Sequence, residues 1–297
     1  MPAFLDITIP LFTFLIMFTV GTGLELNDLK RVSRAPKKVV LASLAQIVCL
    51  PLVGLMVVNI LSLSDYIVAG VLLIAACPGG SISNFYTYLA RANVALSVVL
   101  TGLSCLLATI TMPMVMTFFM HYISVPETFH VPVGRLLHPL IWFLLVPILL
   151  GMLLRHLRPS LVTRLDRWLR VGSMMFLGAL IIQVIWQSPG VFTLDLTETV
   201  KASAAMAVWA ILAGFIVGKL MKLEVYDYWP VVIELKVQNV ALAATIAVTV
   251  FHQARFASFA AAYFLVQVPI AAALIYTCLR NRKVRMQETN NRVISQP

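Results

Sequence analysis

The sequence predicts an all-α polytopic membrane protein of nine transmembrane helices, two of them broken. Three observations predict it. The chain has 297 residues, 61% of them hydrophobic and 11% charged, with mean hydropathy +0.95, too apolar for a domain that presents a wet surface. Its apolar residues gather into stretches of about the 20 residues that a helix needs to cross a hydrocarbon core. Two of those stretches carry helix breakers or polar groups at their centres, CPGGSISN at 77–84 and IELKVQN at 233–239.

In chain order the spans are expected at 3–24, 37–62, 66–90, 94–120, 131–154, 170–188, 197–219, 226–251 and 255–279. The first starts almost at once, has no basic leader, and runs into a charged segment where a cleavage pattern would stand, so it is expected to be a retained span. Basic residues collect after the odd-numbered spans. Lys30, Arg31, Arg34, Lys37 and Lys38 follow the first, Arg91 the third, and Arg155, Arg158, Arg164, Arg167 and Arg170 the fifth. Lys219 and Lys222 follow the seventh, and Arg280, Arg282, Lys283, Arg285 and Arg292 close the chain. Of the 22 Lys and Arg, only Arg135, Lys201 and Arg255 fall on the other side, with Lys236 inside a span. The positive-inside rule then sets the N-terminus outside and the C-terminus in the cytoplasm, as an odd number of spans requires. The net charge of +10 is thereby a topology signal, and nucleic-acid binding is set aside.

Cys49, Cys77, Cys105 and Cys278 lie in apolar segments at wide spacing, which suggests neither a disulfide framework nor a metal motif. Pro51, Pro113 and Pro269 are expected to mark kinks. An enzyme would need paired carboxylates, a metal motif or a nucleophile with its base. His121, His130, His138, His156 and His252 sit at or near span ends without ligand spacing, and one acid alone lies deep in a span.

The broken spans run in opposite directions, one inward and one outward. That is the signature of an inverted repeat, here read as five plus five helices with the first missing, and paired breaks point to a binding site near the bilayer midplane. Glu234 is the deep acid among twelve acidic residues; Glu25 and Asp28 lie at the end of span one. A buried carboxylate is costly as an anion, and a bound cation would keep it ionised. Ser81, Ser83, Asn84, Ser97, Thr101, Gln46, Gln238 and Asn239 offer hard oxygen donors that suit an alkali cation rather than zinc or copper. Ser97 and Thr101 are four apart and share a helix face. The half-helix starts after each break expose N–H groups that favour an anion. The constellation describes cotransport of a cation and an organic anion.

The run CPGGSISNFYTYLARANVALSVVLTGLS, with ELxxQN further on and GTGLELNDLKR at the end of span one, resembles the bile acid:sodium symporter family over nearly the whole chain. The resemblance implies a ten-helix inverted-repeat fold, with nine-helix members lacking the first helix, in which two broken helices cross within a core domain beside a panel domain. Core is expected at about 37–120 and 197–251 with flanking helices, and panel at about 3–24, part of 131–188, and 255–279. It implies a first sodium held by Ser83, Asn84, Ser97, Thr101 and Glu234, and a second by Gln46, Glu234, Gln238 and the carbonyls of Leu235 and Val237. Substrate would lie near Ser81, Ile82, Asn239 and Val240. The implied protein is a multi-pass transporter of a cell membrane, a bacterial inner membrane being expected, with sodium as coupling ion.

One position departs from the family pattern: Lys236 stands where a glycine is usual. Three placements are open. Its ammonium replaces the second sodium as counter-charge to Glu234; or it faces the cavity and attracts the substrate anion; or it points elsewhere without consequence. The first leaves a carrier with one sodium or none, a proton-coupled carrier, or an anion sensor. An arsenite-exporter-like efflux protein is a further alternative, because Cys77 precedes the first break.

Overall fold

Within hydrocarbon every backbone N–H and C=O has to be bonded inside the protein, and helices meet that demand segment by segment. The computed structural model describes residues 3–25, 36–122, 133–187 and 196–294, with side chains described for 7–25, 37–121, 134–186 and 196–280. The expected roles of Asp28, Lys30, Arg31 and Arg34, and of the side chains of Arg282, Lys283, Arg285 and Arg292, lie outside the described residues.

The elements are α1 (Ala3–Thr22), α2 (Pro36–Ile60), α3 (Asp65–Ala76), α4 (Ile82–Leu89), α5 (Val94–Tyr122), α6 (Val133–Leu140), a π-helical turn (Ile141–Leu145), α7 (Val146–Leu157), α8 (Pro159–Gln187), α9 (Leu196–Leu220), α10 (Val225–Lys236), α11 (Val240–Thr249) and α12 (Ala254–Ile294). Among the described residues six helices are long and apolar enough to cross a membrane, and Ile7–Thr22, Asp65–Ala76 and Val240–Thr249 are shorter apolar helices. Pro51, Pro113 and Pro269 sit inside continuous helices, while the π-helical turn follows Pro139.

Two boundaries differ from expectation. The sixth span was expected from 170, but α8 begins at Pro159, eleven residues earlier. Hydropathy marks where a helix is apolar; the stretch carrying Arg164, Arg167 and Arg170 is polar and helical together, with Asp166 and Arg170 paired at 2.9 Å one turn apart. The last helix likewise continues past 279 to Ile294, because Arg, Lys, Gln and Met are good helix formers in water.

Packing divides along contacts. α1 packs chiefly on α7 and α8, so closely that a Cβ added to Gly21 would lie 2.2 Å from the Ile148 carbonyl oxygen. Arg155 on α7 closes that pair by donating to Glu25 at 2.6 Å. α2 packs on α3, α5 and α9, and α9 on α10. α12 packs mainly on α11, α9 and α3 and less on α8, so its contacts lie with the expected core rather than with α1 and α7. Asp227, near the start of α10, accepts from Lys38 on α2 at 2.8 Å and from Asn93, which precedes α5, at 2.9 Å.

Candidate functional site

The first break is dictated locally. Pro78 pushes the preceding residue out of the helical region, and Cys77 is extended (φ −72°, ψ 149°), ending α3 at Ala76. Gly79 and Gly80 follow because there is no room for a side chain. A Cβ on Gly79 would lie 2.0 Å from Glu234 Oε1, and one on Gly80 2.6 Å from the Gln238 carbonyl oxygen.

The second break is shorter than expected. α10 runs on through Ile233, Glu234, Leu235 and Lys236, and the chain leaves the helix only at Val237 (φ −106°, ψ 101°). Nothing in Ile-Glu-Leu-Lys opposes a helix; charge in a span is a cost of burial, not a break in the backbone. Asn239 starts the next half-helix by accepting from the Leu242 N–H at 3.0 Å, a side-chain N-cap.

The two breaks meet. Gly79 and Gln238 form an isolated antiparallel bridge. The Gly80 N–H donates to the Val237 carbonyl at 2.9 Å, and the Asn239 N–H to the Pro78 carbonyl at 2.8 Å. Each break thus satisfies backbone groups of the other, which is what lets non-helical chain persist among apolar helices.

Beside this crossing lies the deep acid. Glu234 is 1% exposed, and its carboxylate accepts from Ser83 Oγ at 2.7 Å and from Thr101 Oγ1 at 2.8 and 3.0 Å. Ser83 and Thr101 are 3.1 Å apart, and Thr101 lies 3.4 Å from Asn84 Oδ1. Four residues of the expected first cation set therefore converge from α4, α5 and α10. Ser97, the fifth, sits one turn away on α5 and accepts from Thr87 at 3.1 Å. A hydroxyl carries two lone pairs besides its proton, so rotating these O–H groups converts donors to the carboxylate into ligands for a cation.

The second expected set is split. Gln238 donates to the Leu235 carbonyl at 2.6 Å and accepts from the Tyr263 hydroxyl, which also meets the Lys236 carbonyl at 3.0 Å. The Val237 carbonyl is held by Gly80. Gln46 Nε2 is buried without a hydrogen-bond partner among the described residues. Gln46, Pro78 and Ser104 line a cavity of about 20 Å³, room for roughly one water-sized sphere. Of the expected substrate residues, Ser81 and Ile82 are half-buried; Asn239 and Val240 are buried, with Asn239 Nδ2 3.3 Å from Met17 Sδ of α1.

Lys236 turns away from Glu234. Two residues on a helix are about 200° apart around its axis, so the carboxylate and the ammonium leave α10 on opposite sides. Lys236 Nζ donates to the Gln267 carbonyl of α12 at 2.6 Å and lies 5.5 Å from the centre of the Tyr86 ring. Among the described residues no ion pair joins it to Glu234.

Sequence reasoning passed over Thr87, Ser104, Tyr263 and Gln267. Thr87 lies one turn beyond Ser83 and Ser104 one turn beyond Thr101, where Ser104 accepts from the Gly79 N–H at 3.2 Å. Tyr263 and Gln267 are four apart on α12, a polar pair inside an apolar span that helical spacing marks out.

A family model described as the sodium bile acid symporter family matches residues 10–194. The chain belongs to that family. It is 29% identical over 251 residues to an uncharacterized sodium-dependent transporter, YocS, of Bacillus subtilis, covering 82% of this chain and 74% of that protein. It is 29% identical over 233 residues to the probable chloroplastic sodium/metabolite cotransporter BASS1 of Oryza sativa, covering 78% of this chain and 56% of that one. Sodium/bile acid cotransporter 5 of Rattus norvegicus is 28% identical over 147 residues, half of this chain and 34% of its own. The chain thus spans little more than half the length of the plant relative and about three quarters of the bacterial one. Membership makes it a multi-pass membrane transporter of the symporter type rather than an enzyme.

Proposed function

We propose that this family member is a secondary active symporter that couples sodium to an organic anion. The observation that carries the reading is the convergence of Ser83, Asn84, Thr101 and Glu234 at a buried point beside two crossed breaks. One acid with neutral oxygen donors suits a monovalent ion, and its binding neutralises the carboxylate. Ser97 would complete this set after a turn of α5 toward it. Gln46, with its spare N–H and the adjacent cavity, Gln238, and the Leu235 and Val237 carbonyls would form the second site, sharing Glu234.

Lys236 is not a sodium substitute in this reading. It ties the end of α10 to α12, and both cation sets keep their donors. The sodium-free alternatives drawn from Lys236 rested on its ammonium lying beside Glu234, whereas it donates to the Gln267 carbonyl. Against an arsenite-exporter reading, the hydroxyl donors Ser83 and Thr101 at Glu234 match the sodium-coupled pattern. Substrate would sit by Ser81, Ile82, Asn239 and Val240, where Asn239 already touches α1. We place α2 to α5 and α9 to α12 in the moving core and α1 with α6 to α8 in the panel; this sets α12 with the core on its contacts.

The test is protein in liposomes with an inward sodium gradient against an equal potassium gradient, presented with labelled small keto acids and steroid carboxylates. Uptake of an anion only with sodium, lost in Glu234→Gln, is expected. Equal uptake with potassium overturns the coupling, and sodium-driven uptake by Glu234→Gln overturns the site.

A further inference from the structure

A second cavity lies away from the crossed breaks, at the junction of α9, α10 and α12, with a volume of about 460 Å³. Its wall is a cluster of three rings: Tyr228 is stacked on Phe215 at 6.0 Å between centroids, and Trp229 meets both edge-on at 5.9 and 6.0 Å. Its rim carries Lys219 and Lys222, both exposed and without an ion-pair partner among the described residues. Trp229 is 5% exposed and lines the cavity, yet its indole N–H makes no hydrogen bond to any described residue. Tyr228 spends its hydroxyl on the Phe215 carbonyl at 3.1 Å, which fixes the ring wall without using the indole.

We infer that this cavity binds one anionic phospholipid, its phosphate between Lys219 and Lys222 and its glycerol and upper acyl carbons along the Phe215, Tyr228 and Trp229 wall. The two ends of the cavity differ in the way a lipid does. Two ammonium groups at the close of a spanning helix stand where headgroup phosphates lie, and basic pockets between spanning helices select anionic headgroups. Aromatic rings with one polar edge favour the same depth. The apolar wall gives a free phosphate nothing to replace its water, whereas acyl carbons cover it. The indole N–H supplies a donor for an ester or phosphodiester oxygen. Such a lipid would wedge α9 against the start of α10, the helix that carries Glu234 in its last turn.

The test is native mass spectrometry of the full chain from detergent, titrated with phosphatidylglycerol or phosphatidylcholine. Each surface lysine contributes about fivefold to anionic-lipid affinity, so wild type should retain one phosphatidylglycerol about thirtyfold more tightly than Lys219→Ala/Lys222→Ala, with little retention of phosphatidylcholine. Trp229→Phe, which keeps the ring packing, should lose a few-fold. A charge-matched control, Arg164→Ala/Arg167→Ala on α8, should bind as wild type does. Equal phosphatidylglycerol retention by the lysine variant, an equal loss in the control, or full competition by inorganic phosphate alone would each overturn the proposal.

Discussion

Placing alanine at Gly79 should weaken sodium binding by roughly thirty- to a thousandfold while leaving the helices in place. A Cβ there lies 2.0 Å from Glu234 Oε1, 2.9 Å from its Cδ and 3.1 Å from Gln46 Nε2. The carboxylate has to retreat by about 1 Å merely to reach 3.0 Å, the shortest approach that Cβ atoms show. Hydrogen bonds now at 2.7 and 2.8 Å to Ser83 and Thr101 would then stretch beyond useful range. A hydrogen bond to a charged group contributes about 1.5–3 kcal/mol. Losing one lowers sodium affinity by roughly thirtyfold and losing both by roughly a thousandfold, since the same oxygens would hold the ion. The assay is the thermal midpoint of purified protein titrated with sodium at constant ionic strength, potassium making up the balance; a ligand bound only to the folded state raises that midpoint by mass action. Gly134→Ala is the control, because nothing lies within 4 Å of a Cβ built there. A Gly79→Ala protein that melts normally and responds to sodium at the wild-type midpoint would refute the reasoning.

Three further outcomes are expected. Thr101→Val, which keeps shape but removes a hydroxyl bonded to both carboxylate oxygens, should weaken sodium binding by roughly ten- to a hundredfold in the same titration. Lys236→Gly should keep sodium affinity within about threefold of wild type while lowering the melting temperature, since it deletes a buried charged hydrogen bond to Gln267; a sodium response that appears only in the variant would show that the lysine had occupied the ion's place. Tyr263→Phe should cost about 1–3 kcal/mol, read by thermal or denaturant unfolding, because the Gln238 oxygen loses its hydroxyl donor.

How much of this was legible depended on what each residue does to the backbone. Cys77 to Ser81 could be read as a break because proline and paired glycines act locally. The second break could be placed only approximately, since Glu234 and Lys236 are expensive to bury but helix-compatible, and the true departure waits for Val237. Helical geometry alone separates the two charges, yet it does not say what Lys236 meets; Gln267 and Tyr86 arrive from α12 and α4, far away in the chain. Glu234 could be found as the one acid deep in a span, and Ser83, Asn84 and Thr101 as hard oxygen donors at the first break and on the next span, a set that the long motif also carries; Thr87 and Ser104 looked like the small hydroxyl residues common at helix contacts. The start of α8 was missed because apolarity and helicity end at different residues.

The reciprocal bonds between the breaks bear on how the protein is made. Pro78 and Asn239 are partners, but the ribosome delivers the first long before the second. Until Asn239 arrives, the Gly80 amide and the Pro78 carbonyl have to stay hydrated or be sheltered by the insertion machinery, so the early half inserts in an unfinished state. A chain cut between Tyr122 and Val133 would yield two fragments, each with orphaned backbone groups. Neither should survive alone, and synthesis of both in one cell should rescue each, which makes the halves obligate assembly partners within a single polypeptide.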